Sequence, residues 1–276
     1  MSEAAEPVEY VLARTVLLDA LEALGPHRPA VVLVGAQAVY LHTGASELAV
    51  APTTTDADLA LEPGRLADEP RLGDALRAAG FLPGANPGSW LGTSGVAVDL
   101  MVPEALSGSA GRRGARLPGH GKDVARRTTG LEPAIVDNEV RDLMALDPAD
   151  GRAYPIRVAG PAALIVAKII KIEERRGQPG RVRPKDALDL LRLLQGTDAE
   201  PIASRLVEFT RDRLAGVVTQ VAIGVLREHG LDPAGQLASL AVRAVGALTD
   251  PAVVAASLSS LVDEVLTAYD ELVGDR

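Results

Sequence analysis

Two aspartates separated by a single residue, in Asp56-Ala57-Asp58-Leu59-Ala60-Leu61, limit how this chain can be built. Side chains of an extended strand alternate faces, so Asp56 and Asp58 point one way while Leu59 and Leu61 point the other. The segment is therefore a strand with both carboxylates on one face. Like charges that close repel, and a sheet surface tolerates them best with a cation between, so the pair is a candidate divalent-metal site.

A third carboxylate follows the same design. Val96, Val98, Leu100 and Val102 alternate with Asp99, which predicts a strand with Asp99 on the polar face. Its other reading is a carboxylate that accepts loop amides at a strand end. Upstream, the apolar strand Val31 to Val34 runs into Gly35-Ala36 and a short helix through Leu41. Unpaired amides at the start of that helix, with the positive end of its dipole, suit a phosphate, and small side chains at 35 and 36 admit a ligand close to the backbone. Taken alone, Gly-Ala here also reads as a tight strand-to-helix turn.

Composition narrows the function classes. With 276 residues, 47% of them hydrophobic, the chain can bury one large or two modest cores. It has no cysteine, which excludes disulfides and Cys-ligated zinc or iron–sulfur sites and suits a reducing cytoplasm. The acidic start lacks the basic region and apolar run of a secretory signal, and the longest apolar run, Pro161 to Ile170, is broken by Lys168. The expectation is a soluble cytoplasmic protein with no membrane partner. A formal charge of −9 argues against non-specific DNA binding, which depends on neutralising phosphates. Cations nevertheless concentrate at Arg112, Arg113, Arg116, Lys122, Arg126 and Arg127, and again between Lys168 and Lys185. Each cluster reads either as a solvated face or as a surface for a polyphosphate or an RNA end.

In chain order, Val8 to Leu24 has apolar residues at helical spacing and stops at Gly25-Pro26. Ser46 to Thr55 is a polar loop, Leu66 to Ala79 a helix and Phe81 to Leu91 irregular. Gly108 to Lys122 is basic and flexible, and strands are expected around Ala134-Ile135-Val136, Met144 and Ile156-Arg157-Val158. Gly160-Pro161 marks a boundary, with proline at the first position of a helix to about Arg176. Lys168, Lys171 and Arg175 lie on one stripe of it. Pro184 opens the next helix, whose Asp186 and Asp189 read as first-turn acids that favour the helix dipole. From Pro201 the chain is helical, closing with an Asp250-Pro251 start.

An Asp-x-Asp strand, a later Asp strand and a Gly-small turn resemble the nucleotidyltransferase superfamily built like the polymerase beta catalytic domain. Leu164-x-x-x-Lys168, Arg175 and Lys185-Asp186-x-x-Asp189-Leu190 are similar to the closing motifs of its AbiEii/AbiGii branch, to which MenT-like toxins of toxin–antitoxin systems belong; the likeness spans roughly residues 30–195. The resemblance implies an α+β fold, a mixed sheet with flanking helices over 1–159, then a helical bundle over 160–276 that contributes Lys168 and Asp186 to the site. It implies two Mg2+ ions, or Mn2+ in their place, on Asp56, Asp58 and Asp99, with Lys168 on the triphosphate and Asp186 in support. Catalytic candidates are thus Asp56, Asp58, Asp99, Lys168 and Asp186; nucleotide-binding candidates are Gly35, Ala36, Thr55, Lys168, Lys171 and Arg175. The implied reaction moves a nucleoside monophosphate from a nucleoside triphosphate (NTP) to an RNA end, that of a tRNA foremost, with a cognate antitoxin as partner. Two departures stand out: Ala36 replaces a usual serine or second glycine, and Pro52 a usual arginine. Nucleotidylation of a protein or small molecule, and a decayed member that only binds nucleotide or a partner, are the alternatives.

Overall fold

The computed structural model describes residues 7–44, 54–108, 113–178 and 181–274. Pro52, Arg112 and most of the loop expected over Ser46 to Thr55 lie outside them. In chain order the elements are α1 (Val8–Leu24), β1 (Val31–Val34), α2 (Gly35–Thr43), β2 (Asp56–Leu61), α3 (Leu72–Ala78), β3 (Leu82–Pro83) and β4 (Ser89–Leu91). Then come β5 (Ala97–Pro103), β6 (Gly114–Leu117), β7 (Gly121–Thr128), α4 (Glu132–Val136), β8 (Asn138–Met144) and β9 (Ala153–Ala159). The remaining helices are α5 (Pro161–Arg175), α6 (Pro184–Gly196), α7 (Ala199–Arg211), α8 (Gly216–His229), α9 (Gln236–Val245) and α10 (Pro251–Gly274).

The chain divides into two compact units. One takes residues 7–38 and 54–159 and the other residues 39–44 and those from 160 onward, so the division falls within α2. The first is built on an open mixed sheet of order β3-β4-β5-β2-β1-β9-β8, with β7 added to β5 and β6 to β7. Strand β1 is buried at all four residues, as an uninterrupted Val-Val-Leu-Val run requires of a central strand. It pairs antiparallel with β2 and parallel with β9, while β2 pairs parallel with β5. Helix α1 packs on β2, β5 and β9, burying Leu17, Leu18, Leu21 and Leu24.

In the second unit, α5 packs on α6, α7 and α8, while α10 packs on α7 and α9 and buries Val254, Leu258, Val262 and Val265. Asp250 caps α10, its Oδ1 accepting the Ala252 amide at 2.8 Å. By length and composition alone α10 could cross a membrane; in this fold its apolar stripe lies against neighbouring helices.

Several local expectations are corrected. Helix α3 begins at Leu72 rather than Leu66, because Pro70 disfavours helical backbone in the residue before it. Phe81 to Leu91 is not wholly irregular, since β3 and β4 form there. Ala134-Ile135-Val136 ends the short helix α4, not a strand, with Pro133 in its first turn and Asp137 leaving it in extended conformation. The segment expected to be basic and flexible carries β6, the start of β7 and the turn between them, and β7 is paired on both sides.

Candidate active site

Asp58 and Asp99 are register partners on the adjacent parallel strands β2 and β5, and Asp56 precedes Asp58 by one pleat repeat. Partner positions on neighbouring strands lie about 5 Å apart with side chains on the same face. All three carboxylates therefore share one patch of sheet, while Ala57, Leu59, Val98 and Leu100 are buried on the other side.

Neighbouring segments hold each carboxylate. Thr54, one pleat before Asp56, donates its hydroxyl to Asp56 Oδ1 at 2.8 Å. Gln37 of α2 donates to the Asp56 carbonyl at 3.3 Å and accepts from the buried Arg14 of α1 at 2.9 Å, so the first helix braces the start of β2. Gly35 has φ +70°, and a Cβ there would lie 2.1 Å from Asp58 Oδ2. The space left by its missing side chain is filled by the Asp58 carboxylate. Ala36 is buried beside it, whereas Thr55 is exposed.

Strand β5 changes partner along one edge, from β4 at Ala97–Asp99 to β7 at Met101–Pro103. Gly88 makes the change possible. Its carbonyl accepts the Leu100 amide at 2.7 Å, its own amide donates to Asp123, and a Cβ would lie 2.4 Å from the Leu100 oxygen. Trp90 Nε1 donates to the Val124 carbonyl at 3.0 Å and locks β4 to β7. As a result Ser89 faces Asp99 from one side and hydrogen bonds to it, and Arg126 reaches in from β7. Arg126 Nη2 lies 3.0 Å from Asp99 Oδ2 and 3.8 Å from Asp58 Oδ1.

Burial pushes the Asp99 carboxyl above its ordinary range; Arg126 and the Ser89 hydroxyl oppose this, and the charges of Asp58 and Asp56 add to it. Among the described residues no group of three His, Asp or Glu side chains stands in an arrangement that could hold a metal as it is. The guanidinium of Arg126 supplies positive charge between Asp58 and Asp99.

The expected residues of the helical unit form their own cluster. Lys168 is buried, its Nζ 2.5 Å from Asp189 Oδ2 and 3.5 Å from Asp186 Oδ1. Lys171 lies 3.1 Å and Arg175 3.0 Å from Asp186, and Arg192, stacked over Tyr40, is 3.7 Å from Asp189. Burial on its own would raise Asp186, but Lys168, Lys171 and Arg175 outweigh it and hold the carboxyl below the ordinary carboxylate range. Asp186 and Asp189 are thus buried ion-pair partners rather than exposed dipole caps. Lys171 keeps the most exposed cation of the cluster, at 38% of its side chain.

Sequence reasoning left the roles of Thr54, Ser89 and Arg126 unassigned. Thr54 was recoverable, since it shares strand parity with Asp56 and Asp58. Arg126 stood in a basic run, and only the pairing of β7 with β5 sets it apart.

A protein-family model described as Nucleotidyltransferase matches residues 14–202. That span contains β1 through α6, and with them all three sheet carboxylates and the Lys168 cluster. Comparison with curated proteins and with solved structures returned no match.

Proposed function

The chain belongs to the nucleotidyltransferase family, and from that membership we propose that it moves a nucleoside monophosphate from an NTP to the hydroxyl of an RNA 3′ end. The observation that carries this reading is the pairing of Asp58 with Asp99, with Asp56 on the same face and Gly35 at its rim. In the transfer an acceptor oxygen bonds to the α-phosphorus, the bond from that phosphorus to the β-phosphate bridging oxygen breaks, and pyrophosphate leaves. The acceptor's proton is proposed to pass to Asp99, on the same patch of sheet as Asp58.

The donor set fits hard divalent cations: three carboxylates, no sulfur or imidazole, and an adjacent glycine that leaves Asp58 room. Asp56, Asp58 and Asp99 would hold Mg2+, which when bound supplies charge neutralisation at the phosphates and a more acidic acceptor hydroxyl. Lys168 and Asp186 are proposed as residues on which transfer depends through their ion-pair cluster, with Lys171 and Arg175 meeting phosphate.

An RNA acceptor is supported by the β6–β7 hairpin. Arg116 and Lys122 are exposed and directly opposite each other, an arrangement that costs free energy unless an anion lies across it. The proposed acceptor is a tRNA end, and the proposed setting a cytoplasmic toxin restrained by an antitoxin, both on the likeness of the ordered motifs. The test is incubation of the protein with labelled NTPs, Mg2+ and total cell RNA, beside Asp58→Asn. Label on RNA with the wild type and a loss of about 10²–10³-fold with the variant are expected. Label on protein or small molecules would replace the acceptor, and no label anywhere would overturn the transfer itself.

A further inference from the structure

We propose that Arg126 is a resident counter-cation that competes with divalent ions for Asp58 and Asp99, so that ion loading requires nucleotide phosphates to draw its guanidinium away. The role rests on the ion-binding reading of these carboxylates.

Three observations converge on it. Arg126 Nη2 occupies the space between Asp99 Oδ2 and Asp58 Oδ1, whose side chains are only 22% and 14% exposed, so an ion using the same oxygens needs that space. The guanidinium is also poorly satisfied where it sits. Its Nε is buried without a hydrogen-bond partner, and the remaining neighbour of Nη2 is the weak acceptor Met101 Sδ at 3.0 Å. Finally, the side chain stays 34% exposed on β7, the same strand that carries Lys122 of the Arg116–Lys122 pair, where an arriving phosphate can reach it. A guanidinium fork matches phosphate oxygens in bidentate fashion, which a carboxylate–sulfur setting does not offer.

Deleting the arginine takes away the cation between Asp58 and Asp99 permanently, whereas phosphate capture removes it only when substrate is present. Free ions should therefore bind weakly and ions with nucleotide strongly. Arginine would thus add a coupling between the two ligands beyond the charge neutralisation that a bound ion gives the phosphates.

The test is Mn2+ binding, read as free Mn2+ by electron paramagnetic resonance, with and without a non-hydrolysable nucleotide analogue. Arg126→Gln should tighten Mn2+ binding without nucleotide on the order of tenfold and shrink the gain that nucleotide gives the wild type by the same factor. Unchanged or weaker binding in Arg126→Gln, with loss in Asp99→Asn, overturns the role of Arg126 and leaves the ion-binding reading standing. No Mn2+ binding by the wild type or Arg126→Gln, with or without nucleotide, overturns both. A second measurement on the wild type covers a variant that does not fold: the Arg126 Nε–H resonance, assigned by its loss in Arg126→Lys, should move on addition of Mg2+ with the analogue. An unmoved resonance overturns the proposal.

Discussion

At Gly35 a single hydrogen atom in place of a methyl group decides where Asp58 can sit. The left-handed φ of +70° and the 2.1 Å approach of a hypothetical Cβ to Asp58 Oδ2 act together. Gly35→Ala is expected to cost about 1–3 kcal/mol of stability and to displace the carboxylate, lowering transfer by roughly 10²-fold. Gly64→Ala, where a Cβ meets nothing within 4 Å, serves as the control and should stay within about 0.5 kcal/mol. Urea denaturation and the labelled-NTP assay check both. Much of this residue-scale picture was legible: alternation put Asp56, Asp58 and Asp99 on polar faces, and the glycine after β1 marked an unusual backbone. What the alternation could not show is that Asp58 and Asp99 are register partners, because register is a relation between strands.

At the scale of elements, α5 and α6 are joined by charge as well as by apolar packing. Lys168, Asp186 and Asp189 are all buried, and removing the lysine leaves Asp189 only the longer 3.7 Å pair with Arg192. Lys168→Met is expected to cost about 3–5 kcal/mol, and adding Asp189→Leu should recover much of that loss. Chemical denaturation of the single and double variants decides the matter; a double variant as unstable as the single one would mean that the lysine acts through something other than this pair. The helical spacing of Lys168, Lys171 and Arg175 was plain in the sequence. Asp189 read as a dipole cap because periodicity marks a face without saying what that face meets. The β6–β7 hairpin escaped for a related reason: β6 is only four residues long, both strands open on a glycine and carry charges, and β7's other partner, β5, lies well upstream.

For the whole molecule, acid should act in two steps. His27 is fully buried, its Nε2 2.7 Å from the Pro70 carbonyl and its Nδ1 without a partner, with the His120 ring edge-on at 5.2 Å. Burial holds its pKa below the ordinary 6.5, with His120 acting in the same sense and the Pro70 bond opposing it, so the unfolded chain takes up the proton first. Stability is therefore lost as the pH falls through about 6.5. Asp186, held low in the folded state, contributes stability above the ordinary carboxylate range and loses it only at lower pH. Asp99 and Glu132 are raised and work in the opposite direction between those windows. Thermal melts from pH 7.5 to 5.5 should show a falling midpoint that His27→Gln flattens; parallel curves for the two proteins would rule out His27 as the cause.

The sequence by itself determined the two strands that carry Asp56, Asp58 and Asp99, each with a polar and an apolar face, and the helix that opens at Pro161. These follow from period, side-chain volume and backbone restriction, all properties of a few consecutive residues. Only the tertiary structure decided that Arg126 lies between Asp58 and Asp99, that Ser89 meets Asp99 and that Lys168 is enclosed by Asp186 and Asp189. Those contacts join residues far apart in the chain, and their geometry is set by strand register and helix packing, which no local pattern encodes.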